Sequence, residues 1–169
     1  MALGKTTNPM LAAIEQQIQG ALKPQYQRPL KMVVHAGLTI MYAPALQATM
    51  MHHLTNVANP AQEAGVGAAR LIGELQKQSK GKIPSQVVMP AAIIFICEYF
   101  DLLMNVGKAQ VTPDMVAQAT HIAGETMLTA SGVTSTDIQN AISKHTQGAG
   151  SQGATPSAGI IGAQMQQGA

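Results

Sequence analysis

Tryptophan is absent from the 169 residues, and three tyrosines and two phenylalanines supply the whole aromatic content, 3% of the chain. Cysteine occurs once. A single thiol excludes an intramolecular disulfide and a cysteine-based zinc site, and with them a stapled secreted scaffold and a zinc finger. Charge is scarce as well: only 11% of residues are charged, with ten Lys+Arg against eight Asp+Glu for a formal +2. So near neutrality, the composition argues against a strongly basic nucleic-acid binder and against an acidic solvating tail. With few charges, the surface must be covered largely by Gln, Ser, Thr and Gly. What is plentiful is apolar: 46% hydrophobic residues exclude wholesale disorder, and the length suits one domain of ordinary size or a compact domain plus a tail.

Strand alternation and hairpin turns are missing, whereas prolines recur where a helix can start, because proline at the first helical position gives up only an N–H that had no partner. Asn8-Pro9 opens a helix whose Leu11, Ile14, Ile18 and Leu22 share one face, and Lys23-Pro24 closes it. Pro29 is expected to open a long apolar segment reaching Asn56, kinked or divided at Pro44. Asn59-Pro60 starts a third helix to about Lys80, stopped by Gly81. Pro84 starts a fourth through about Val106, with a bend at Pro90 and Gly107 as its stop. Thr112-Pro113-Asp114 supplies cap, proline and favourable charge for a fifth, ending near Gly132. Thr134 with Asp137 three places on resembles a capping box for a short sixth carrying Ile138, Ala141 and Ile142. The fold class is all-α, about six helices in an irregular antiparallel bundle over residues 1–147.

Residues 148–169 are a second region. They carry no charged side chain, only small and polar residues with Ile160, Ile161 and Met165 as apolar points. Alone, such a Gly-rich tail buries too little of itself to offset its ordering entropy, so an ordered state needs a neighbouring surface.

Two segments bear on membranes. Met32 to Met51 contains no Asp, Glu, Lys or Arg, but His35, Thr39, Gln47, Gly37 and Pro44 make it a marginal span. Val87 to Cys97 is strongly apolar but meets Glu98 and Asp101 after about half the length a span requires. It reads as a core helix. The first residues lack the apolar run and cleavage site of a secretory signal, which points to synthesis in a cytoplasm.

Chemistry-bearing patterns are weak. Gly4-Lys5-Thr6 lacks the first glycine and the strand of a phosphate-binding loop, and Gly65-Val66-Gly67 lies in a helical pattern without a βαβ unit. Ala61, Gly65, Ala69 and Gly73, spaced by four, instead form a small-residue strip suited to helix association, within the chain or between copies. Among five histidines only His121 shares a helix face with a carboxylate, Glu125, and an ordinary surface pair accounts for it. Cys97 sits in an apolar run and reads as an inert core thiol. Glu98 and Asp101, at i and i+3, are expected to face solvent or a lysine of another helix. Lys77, Lys80 and Lys82 are a candidate phosphate contact, but cations complementing a helix C-terminus explain them as well. The pattern gives no catalytic residues, no metal and no cofactor, and the expectation is a non-enzyme.

An aromatic-poor, Ala/Gln/Gly/Met-rich helical chain with marginally membrane-compatible helices and the uncharged segment Gly148 to Ala169 resembles small virion proteins of tailed bacteriophages, particularly internal or ejection proteins of short-tailed phages. The resemblance covers the whole chain in style. It implies a structural protein of the virion, in many copies as a homo-oligomer or against portal or tail proteins, helping viral genome ejection through the host envelope. Membrane contact would be transient, and nucleic acid is a further candidate partner. Two other readings stand beside it: a holin-like or other small membrane pore, and a helical adaptor binding one partner protein.

Overall fold

The computed structural model describes residues 6–45, 58–107, 110–132 and 136. The chain divides into two units after Val133, and the five helices described here belong to the first. They are α1 (Pro9–Ala21), α2 (Pro24–Met41), α3 (Pro60–Gln78), α4 (Ser85–Asn105) and α5 (Pro113–Ala130). No strand occurs among the described residues, so the molecule is all-α there. The sixth helix expected after Thr134, apart from Thr136, and Ile160, Ile161 and Met165 lie outside the described residues, as do His52, His53 and His145.

Local chemistry sets most helix ends. Asn8, Asn59 and Thr112 are N-caps whose side-chain oxygens accept from backbone N–H groups of the first turn, and Pro9, Pro60 and Pro113 follow them at the first helical position. Gly81, Gly107 and Gly132, just past the ends of α3, α4 and α5, all have positive φ. Lys80 does too, at 54°, which is unusual for a residue with a Cβ. Gly81 then donates its N–H to the Gln76 carbonyl at 2.8 Å, closing the end of α3. Because the left-handed conformation penalises a Cβ, Lys80→Gly is expected to raise stability by about 1 kcal/mol, readable from the midpoint of a denaturant titration.

The expected start of the second helix at Pro29 is corrected. α2 begins at Pro24 and carries Pro29 inside it. Starting earlier places the half-buried Tyr26 on the same rod as Leu30, Val33, Val34, Gly37, Leu38 and Met41, all of which are buried. Burying such a row outweighs the single bond that Pro29 cannot make to Gln25, an exposed residue whose carbonyl can reach water. Pro90 occupies the equivalent place in α4, five residues after the first helical residue, opposite the exposed Gln86. Helix α2 ends at Met41, before Pro44.

Helix α4 is the centre of the bundle and touches each of the other four. Val87, Ala91, Ala92, Ile94, Phe95, Ile96, Phe100 and Leu103 are at most 1% exposed, so it is apolar nearly all round, as a helix surrounded by others must be. Two glycines let neighbours come close. At Gly37 a Cβ on α2 would overlap the Phe95 ring of α4. At Gly65 a Cβ on α3 would lie 2.5 Å from the Ala119 carbonyl oxygen of α5 and 2.9 Å from Ile122. The hydroxyls of Thr120, Thr126 and Thr129 on α5 donate to carbonyls four residues back, which satisfies them without outside partners.

Candidate functional site: carboxylates under the first helix

Against the expectation of solvent exposure, Glu98 is 0% and Asp101 4% exposed, and a third carboxylate, Glu15 of α1, is 2% exposed. An ionised carboxylate in a core is costly unless donors surround it. The chain just before α1 brings those donors. Asn8 turns its side chain forward to cap α1, accepting from Met10 and Leu11 N–H at 2.9 and 3.2 Å. Its backbone N–H and that of Thr7 then point at Asp101 Oδ1, at 2.9 and 3.0 Å. The Thr7 hydroxyl donates to the same oxygen at 3.0 Å, and Asn105 Nδ2 donates to Oδ2 at 3.1 Å. Asp101 is thus an acceptor hub joining the α1 N-terminus to α4 through neutral donors, not the lysine partner expected from sequence.

Glu98, one turn earlier, accepts from the Tyr42 hydroxyl at 2.7 Å, just beyond the end of α2. The Thr6 hydroxyl lies between carboxylates, bonded to Glu15 and 3.4 Å from Glu98 Oε1. Three helices and the segment before the first therefore converge on one polar knot. Burial, then the hydrogen bond to Glu98 and the surrounding carboxylates, push the Tyr42 phenol well above the ordinary tyrosine range. The buried Cys97 thiol is pushed up to about 12, first by burial and then by Glu15 and Glu98, which keeps it protonated and poorly nucleophilic. Tyr99 also rises to about 12, through burial and then Glu63.

This arrangement ties elements together and presents little to solvent. No group of three His, Cys, Asp or Glu side chains among the described residues could hold a metal ion. His121 Nε2 and Glu125 Oε1 are 3.4 Å apart with side chains 75% and 54% exposed, a surface pair. Ala61, Gly65 and Ala69 of the small-residue strip are buried in the chain's own bundle, with Gly65 against α5, and Gly73 stands in open space. Lys77, Lys80 and Lys82 are all exposed around the end of α3.

Sequence reasoning missed Glu15 and Tyr42. Glu15 had a signal: it lies four residues after Leu11 within the stripe Leu11, Ile14 and Ile18, where an acid has no reason to stand unless a donor meets it. Tyr42 had none, since its reach to Glu98 spans 56 residues. No known protein family, no characterised protein and no solved structure matches the chain.

Proposed function

We propose that the chain is a non-enzymatic structural component of a phage particle, acting in many copies against itself or against neighbouring portal or tail proteins. The uncharged composition of residues 148–169 carries this reading: 22 residues of mostly Gly, Ala, Ser, Thr and Gln, punctuated by Ile160, Ile161 and Met165, gain most by lying on another protein surface. The bundle supports it from the other side. Its three buried carboxylates are engaged in cohesion and its small-residue strip is largely taken up internally, which leaves the uncharged segment as the part with most to gain from a neighbour. The experiment is native mass spectrometry of the full chain beside a chain shortened after Gln147, with peptide mapping of purified particles. Assembly lost on shortening, and the protein found in particles, is the expected result; a monomer absent from particles overturns the reading.

A second reading, a small membrane pore, is favoured by α4, which is 21 residues long with a mean hydropathy of 2.0 in its most apolar window. That window is 61% buried in the bundle, so a pore requires α4 to leave its four neighbours and the bonds at Glu98 and Asp101. Co-flotation with neutral vesicles, resistant to high salt, would favour the pore over the particle component.

A further inference from the structure

Drawing three carboxylates into the core leaves the outside of the bundle more basic than its formula. Among the described residues the exposed acids are Glu63, Glu74, Asp114 and Glu125, all on α3 and α5. Helix α2 contains no acidic residue, and the only one in α1 is the buried Glu15. The outer side of α2 therefore shows Arg28, Lys31 and His35 with no counter-charge from its own helix or from α1, and Lys23 stands exposed at its N-cap. Spacings of three and four put Arg28, Lys31, Met32 and His35 on one stripe. Met32 is 65% exposed, more than any other large apolar side chain among the described residues. The positive end of the α2 dipole lies at the same end as Lys23 and Arg28.

We propose that this stripe is a docking surface for an anionic lipid bilayer, with Lys23, Arg28 and Lys31 at the headgroups and Met32 at the acyl boundary. Charge complementarity requires an anionic partner. Met32 decides which: a thioether set among cations finds hydrocarbon immediately beneath lipid headgroups, whereas the phosphate backbone of a duplex offers it none. The long apolar stems of Arg28 and Lys31 span the same depth. The inward row of Leu30, Val34, Gly37 and Met41 stays packed on the bundle, so the contact is peripheral and no helix leaves the core. The inference is independent of the particle reading and differs from the pore, which needs α4 to move.

The test is sedimentation of the full chain with phosphatidylcholine vesicles containing or lacking phosphatidylserine. Binding is expected on the anionic vesicles alone and is expected to weaken with salt. R28Q/K31Q should lower the partition coefficient about thirtyfold, the factor carried by two surface cations at such a bilayer. M32S should lower it several-fold and leave the salt dependence unchanged. K77Q/K80Q/K82Q should leave binding near the parent value, and circular dichroism checks that each variant is folded. The proposal is overturned by absence of vesicle binding, by equal binding to neutral vesicles, or by a loss that follows the Lys77 to Lys82 variant instead of the α2 variant. It is equally overturned if Arg28 and Lys31 serve duplex DNA while vesicles are ignored.

Discussion

Gly65→Ala is expected to destabilise the bundle by about 1–2 kcal/mol, although alanine favours a helix interior over glycine by about 1 kcal/mol. The sign reverses because the new methyl would stand 2.5 Å from the Ala119 carbonyl oxygen and 2.9 Å from Ile122. A backbone oxygen cannot rotate aside as a side chain can, so α3 and α5 would have to separate. Their contact is the most extensive between any two helices here. The internal control lies two residues along the same helix. Gly67 is exposed, and a Cβ there meets nothing within 4 Å. Gly67→Ala is expected to raise stability by about 0.5–1 kcal/mol through helix propensity alone. Urea denaturation of the two variants, read as the shift in midpoint at constant m-value, checks both signs. Equal behaviour of the two would mean that α3 and α5 do not approach at Gly65.

Asp101→Ala is expected to cost about 3–5 kcal/mol, because the neutral donors gathered around a buried carboxylate lose their common acceptor. The Thr7 and Asn8 N–H groups, the Thr7 hydroxyl and Asn105 Nδ2 all converge on it. Asp101→Asn retains shape but sets an NH₂ among those donors, and a loss of about 2–4 kcal/mol is expected. Glu125→Gln should change stability by less than about 0.5 kcal/mol, since its partner His121 is 75% exposed and the pair is solvated. Hydrogen exchange adds a local reading: in Asp101→Asn the Thr7 and Asn8 amides should lose protection before those of α4. Protection retained at both amides would show that Asp101 does not hold the start of α1.

The helices were legible where their determinants are local. Asn8, Asn59 and Thr112 before prolines, and Gly81, Gly107 and Gly132 after the last turns, act within a few residues of themselves. Pro29 misled because its local cost is real, and only the packing of Leu30 and the half-buried Tyr26 into the core overrides it. The four-residue repeat of Ala61, Gly65 and Ala69 announced a close approach, but that Ala119 and Ile122 fill it depends on α5. Glu98 and Asp101 show the same boundary more sharply. Two acids on an apolar helix read as a solvent-facing pair until Thr6, Thr7 and Asn8 arrive from 92 to 94 residues away. Spacing within α4 carries no trace of them.

That separation has a consequence for how the chain is made. The start of α1 finds its acceptor only once Asp101 exists, so α1 is made some 90 residues ahead of the group that fastens it. At about 5–20 residues per second, Leu11 and Glu15 wait roughly 5–20 seconds for their docking site, a delay in which the nascent segment is open to chaperones or to another molecule's α4.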